Sequence, residues 1–135
     1  MRVFQVTNMY PSAERPHWGV FVQSQIESLR VAGIDNVGFY EIEGWRSKAN
    51  YLRALYELPQ RIAAANPDLV HIHYGLSAIA AFLVRGRPLV VSFCGNDLLG
   101  CPDEHGRISR SSRLMAEWCK LAGRRADAVI VKSAE

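Results

Sequence analysis

The sequence has no long apolar run. None of its 135 residues falls in a stretch near the ~18 continuous apolar positions that a membrane-spanning helix needs. The opening Met1–Val6 has neither the apolar core nor the small-residue cleavage site of a secretory leader. These absences predict a soluble, cytoplasmic protein that at most rests on the inner face of a membrane. Cysteine is scarce and unpaired. Cys94, Cys101 and Cys119 are odd in number and form no C-x-x-C, which excludes a disulfide framework and reads as reduced thiols. Charge of one sign is also lacking. Sixteen basic and 13 acidic side chains leave a net +3, too small for the basic face of a nucleic-acid binder. No repeat, low-complexity tract or linker divides the chain. What remains is an ordinary globular composition, 49% hydrophobic and 21% charged, sufficient for one domain that buries roughly two-thirds of its unfolded surface.

Short β-rich runs alternate with helical patterns. Arg2–Val6 reads as a strand, and the loop Thr7–Trp18 carries Pro11 and Pro16 as breakers. A helix follows from Gly19, with Val22, Ile26 and Leu29 on one face and Gly33 at its end. Asn36–Tyr40 is the second strand. A helix from Ser47 to Asn66 has Leu52, Leu55, Tyr56 and Ile62 as its apolar stripe, and Pro59 within it predicts a kink or a division. Leu69–His73 is the third strand, Ser77–Arg85 a short helix, and Leu89–Phe93 a fourth strand apolar enough for burial on both faces. A glycine-punctuated loop, Gly95–Ile108, leads to a helix over Ser109–Arg124 and a fifth strand, Ala128–Val131.

Strands that alternate with helices predict an α/β fold: a Rossmann-like parallel sheet of about five strands with helices on both faces. Right-handed crossovers and the apolar third strand give the order 2-1-3-4-5. In such sheets ligands bind beyond the C-terminal strand ends, where the winding reverses. That rule selects three segments: Thr7–Gly19, His73–Ser77 and Cys94–Leu99. The first turn lacks G-x-G-x-x-G, so a free-standing dinucleotide domain is excluded. A phosphoacceptor domain would share the sheet, and Lys132 would suit it. Thr7-Asn8 and His73-Tyr74 stand where its carboxylates are required, so no Mg²⁺ site could form there.

The three selected segments resemble family 4 glycosyltransferases of the GT-B fold. Val6-Thr7-Asn8-Met9-Tyr10-Pro11, continuing to Gly19-Val20-Phe21-Val22 and Gln25, is similar to the opening strand, loop and G-x-F-V helix start of that family. Pro67-Asp68-Leu69-Val70-His71-Ile72-His73-Tyr74-Gly75 resembles its P-D-[LV]-[IV]-H-x-H-[YF]-G segment, and Pro88-Leu89-Val90-Val91-Ser92-Phe93-Cys94-Gly95-Asn96-Asp97 its P-x-V-[VI]-[ST]-x-H-G-x-D. Ala126–Ser133 looks like the A-D-x-[VI]-[IV]-x-x-S strand. The four segments occur in family order and span nearly the whole chain.

The resemblance implies a retaining enzyme of two domains with the active site between them. The N-terminal domain mostly holds the acceptor, and the C-terminal one binds a nucleotide sugar and carries an E-x7-E pair. These 135 residues contain no such pair. The expectation is therefore an acceptor-side N-terminal domain whose donor-binding domain is absent. Such a chain would be inactive alone and would work with that domain in cis or in trans. Its partners would be a nucleotide sugar, as substrate, and a glycan or lipid-linked acceptor; no cofactor, metal or nucleic acid is expected. A non-catalytic acceptor-binding subunit that pairs with a separate donor-binding chain is the alternative.

The resemblance also indicates site residues, each with a plainer reading beside it. Gly19 and Val20, at a helix start, approach the donor diphosphate or the acceptor; otherwise Gly19 merely lets the loop enter the helix. Tyr74, Gly75, Cys94, Gly95 and Asn96 would bind substrate. Cys94 stands where the family often has a histidine that contacts the donor sugar or the departing phosphate. Asp97 would orient or deprotonate an acceptor hydroxyl, or else cap a loop. His71 reads as a buried, hydrogen-bonded histidine. His73 is taken to line the cleft and move a proton near neutral pH. The two make an H-x-H pair, but no third metal ligand has suitable spacing. Arg107, Arg110, Arg113, Lys120, Arg124 and Arg125 gather around the last helix, with only Glu117 between them. That face would suit an anionic membrane surface or simply solvent. An open edge at the last strand, with uncovered apolar surface, predicts self-association.

Overall fold

The computed structural model describes residues 1–131. Its elements are β1 (Arg2–Thr7), α1 (Val20–Val31), β2 (Asp35–Glu41), α2 (Ala49–Ala65), β3 (Leu69–His73), a 3-10 helix (Gly75–Phe82), β4 (Leu89–Phe93), α3 (Asn96–Leu99), α4 (Arg110–Arg125) and β5 (Ala128–Val131). The strands form one parallel sheet in the order β2-β1-β3-β4-β5, the α/β Rossmann-like arrangement that the alternating pattern predicts.

Side chains alternate across the sheet, and parallel partners share a face. Phe4 lies beside Val70, and Ile72 beside Val91. This apolar face receives Ala54, Leu58 and Ile62 of α2, Ala80 and Ala81 of the 3-10 helix, and Cys119 and Ala122 of α4. The other face is polar at its centre, where Gln5 pairs with His71 and His73 with Ser92. A right-handed crossover to β2, on the far side of β1, puts α1 over that second face. The winding therefore reverses between β1 and β3, and the loops after those strands flank the crevice.

Local chemistry sets the helix ends. Gly33, at φ +78°, closes α1 through bonds from its own N–H to Arg30 and from the Ile34 N–H to the Leu29 carbonyl. Ser109 caps α4 by accepting the Ser112 N–H at 3.1 Å.

Three elements depart from the sequence reading. First, α2 runs undivided through Pro59, and of its expected stripe Ile62 is buried while Leu52, Leu55 and Tyr56 face out. Ala54, Leu58 and Ile62 are buried, whereas Leu52 is 70% and Tyr56 74% exposed. Pro59 supplies the reason. It has no N–H for the Leu55 carbonyl, which is best met by water, so the side carrying Leu55 and Pro59 faces out. Second, the short helix before β4 is 3-10 and starts at Gly75, not Ser77. Third, the loop after Gly95 contains the single turn α3 and a bridge between Pro102 and Ile108.

Candidate functional site

The C-terminal ends of β3 and β4 are joined by one carboxylate. Asp97 is buried, and its Oδ2 accepts the Gly75 N–H at 2.9 Å. Its Oδ1 accepts the Cys94 N–H, also at 2.9 Å. The clamp works because Gly75 has no side chain. A Cβ there would lie 2.5 Å from the Asp97 Cβ and collide with the Cys119 sulfur. Between His73 and Gly75, Tyr74 is held at φ +70°, a conformation that costs a residue other than glycine about 1–3 kcal/mol and often marks a functional site. Its N–H donates to the Ser92 carbonyl at 2.9 Å, so strain and tether occur together. Tyr74, Gly75, Cys94, Gly95 and Asp97 are thus brought into one cluster. The side chain of Asn96 lies outside the described residues, as does Lys132.

Gly19 and Val20 come from the neighbouring loop, after β1. Gly19 is at φ +71°, and a Cβ there would lie 2.5 Å from the Met9 carbonyl oxygen. The loop therefore folds back onto the start of α1 as only glycine allows. No side chain caps this helix start.

The histidines lie deeper than their motif suggests. His73, expected to line the cleft and titrate near neutrality, is fully buried, and burial pushes its pKa down to about 3. Its Nε2–H donates to Gln5 Oε1 at 2.7 Å, which leaves Nδ1 a buried acceptor without a partner among the described residues. His71 is hydrogen-bonded to Ser92 Oγ at 2.7 Å, and burial lowers its pKa to about 4. The two rings are 4.0 Å apart, so each also disfavours charge on the other. Both are neutral at physiological pH.

Asn8 Oδ1 and Ser77 Oγ are likewise buried and unpartnered among the described residues. Asn8 follows β1, His73 ends β3 and Ser77 stands in the 3-10 helix after β3. Unsatisfied buried polar atoms are rare, and these gather at one end of the sheet. A second cleft, bordered by Arg87, Leu89, Arg125 and Asp127, lies at the opposite end of the strands.

A further group escapes sequence reasoning. The Arg15 guanidinium lies 3.9 Å from the centre of the Trp45 ring and 5.2 Å from that of Trp18, and Arg46 lies over Trp45 at 4.7 Å. Arg46 also pairs with Glu43 at 3.0 Å. This stack ties the loop after β1 to the loop after β2. Arg15 and Trp45 are thirty positions apart and belong to no motif, so only the strand order brings them together.

None of the three cysteines is in a disulfide. Cys119 is buried, which raises its thiol pKa to about 11. Among the described residues, no three His, Cys, Asp or Glu side chains gather as a metal site, and no helix is long and apolar enough to cross a membrane.

A five-stranded parallel sheet with its clamped, strained loops at the C-terminal strand ends defines an α/β domain of the Rossmann-like class. Comparison with family models makes this specific: the model described as glycosyl transferase 4-like domain matches residues 2–135, and the chain belongs to that family. No curated protein matches it.

Proposed function

We propose that this chain is the acceptor-side domain of a retaining glycosyltransferase that moves a sugar from a nucleotide-sugar donor to a glycan or glycolipid. The family match supports the chemistry, and the observation that carries the acceptor side is the Asp97 clamp beneath strained Tyr74. In this reading Tyr74, Gly75, Cys94, Gly95 and Asn96 meet substrate, and Gly19 and Val20 present the positive end of α1 to a phosphate or an acceptor hydroxyl. Asp97 acts by holding the two loops in register, and His73 supports the floor beneath them. Trp18, which is 39% exposed, and the half-buried Trp45 give the acceptor an aromatic wall.

These 135 residues contain no E-x7-E pair, so the donor is held by a second domain, in the same or another polypeptide. In the second case the chain is a non-catalytic acceptor-binding subunit. The β5 edge, apolar and exposed from Ala128 to Val131, favours pairing between copies in the cytoplasm. The test is a transfer assay with radiolabelled UDP- and GDP-sugars and a membrane extract as acceptor source. No labelled glycan or lipid is expected from the 135-residue chain alone. Turnover by that chain would overturn the division of labour.

A further inference from the structure

Helix α4 is amphipathic in the wrong sense. An ordinary surface helix buries its large apolar side chains, but α4 packs through Ala116, Cys119 and Ala122. Its large residues point outward: Leu114 is 63%, Trp118 49% and Leu121 47% exposed. The three stand at i, i+4 and i+7, so they form one stripe along the helix. Trp118 extends that stripe onto the 3-10 helix by meeting Phe82 edge-on at 5.7 Å. The pattern is not confined to α4. In the same layer, α2 turns Leu52 and Tyr56 outward over a buried Ala54, Leu58 and Ile62.

The charges beside the α4 stripe have one sign. Arg110, Arg113 and Arg124 have no carboxylate partner among the described residues. Glu117, the acidic residue among them, is held by Lys120 at 2.6 Å. Burying large apolar surface beside uncompensated cations suits an apolar layer capped by anions. We infer that α4 lies on an anionic lipid surface, with Leu114, Trp118 and Leu121 in the headgroup–acyl boundary and Arg110, Arg113 and Arg124 on the phosphates. A second copy of this chain would bring the same cations against each other, so the charge favours lipid over a self-complementary dimer. The surface is separate from the clamped loops, so this inference stands whatever sugar or acceptor the domain handles.

The test is co-flotation of the purified chain with phosphatidylcholine vesicles and with vesicles containing one quarter phosphatidylglycerol. Binding is expected only to the second set and should weaken as salt is raised. Replacing the three arginines (R110Q, R113Q, R124Q) should lower the partition coefficient on the order of a hundredfold, since each cation near such a surface contributes several-fold. The double variant L114Q/L121Q touches only exposed positions and should leave the circular dichroism spectrum and melting curve unchanged while cutting partitioning at least about tenfold. Absence of binding to the anionic vesicles at low salt overturns the inference, as does binding that neither variant weakens. Light scattering decides the alternative occupant. A dimer that L114Q/L121Q converts to monomer, without vesicle binding by the parent chain, would make the stripe a protein interface instead.

Discussion

Lowering the pH from 7.5 to 5.0 should cost the fold about 4 kcal/mol, and the His71–His73 pair is the reason. Burial holds the two rings at pKa values of about 4 and about 3, while an unfolded histidine titrates near 6.5. Between those limits the unfolded chain binds more protons than the folded one. Stability is therefore fully present above pH 6.5 and is lost as the pH falls toward the folded values. At pH 5.0 each ring contributes a penalty of about 2 kcal/mol, the work of keeping neutral a group that would gain a proton in water. The geometry makes the penalty hard to escape. A charged His73 would need a second acceptor at Nδ1, where none is found, and would face His71 at 4.0 Å. Against a typical total of ~5–15 kcal/mol, the loss is large enough to measure. Urea titrations followed by circular dichroism at half-unit pH steps would read it. A slope of about 2.7 kcal/mol per pH unit is expected between roughly pH 6 and 4.5, twice that of a single group. His73→Gln should halve the slope whatever its effect on stability at pH 7.5. A profile flat from pH 7.5 to 5.0 would show that water reaches the pair and that the cluster is not the dry floor described here.

Other changes follow from the same geometry. Gly19→Ala forces a Cβ against the Met9 carbonyl at positive φ and should cost roughly 3 kcal/mol by urea titration; an unchanged midpoint would mean that the loop does not fold back there. Asp97→Asn keeps the size but turns one acceptor into a donor facing a backbone N–H, for a loss of ~2–3 kcal/mol and faster amide exchange at Gly75 and Cys94. Amides that stay equally protected would refute the clamp. On α2, Leu58→Ala should cost ~2–5 kcal/mol and Leu52→Gln within about 0.5 kcal/mol, and the reverse ranking would restore the orientation first read from the stripe.

The strands were legible because β-branched runs between turn residues leave few alternatives. Leu69–His73, Leu89–Phe93 and Ala128–Val131 occur where the pattern puts them, and the order follows from crossover handedness. Gly33 and Ser109 likewise announce their helix ends. The face of α2 was not legible. Its sequence contains two apolar stripes, and the larger one loses because Pro59 lies on it. The site was legible only as loops. That Asp97 would clamp Gly75, twenty-two positions away, or that Arg15 would stack on Trp45, depends on which strands are neighbours and how far each loop reaches. The depth of His73 was hidden for a related reason. A two-residue alternation names the face of a strand but not what covers it.

The most direct test of the acceptor-side assignment is an amide and indole NMR titration of the ¹⁵N-labelled chain with a panel of soluble oligosaccharides, and separately with UDP- and GDP-sugars. Oligosaccharides should shift Gly19, Tyr74, Gly75, Cys94 and Gly95 together with the Trp18 and Trp45 indoles, while the nucleotide sugars should bind too weakly to saturate. Tight nucleotide-sugar binding with no response to any glycan would contradict the account, as would shifts confined to Arg87, Leu89, Arg125 and Asp127 at the other end of the sheet.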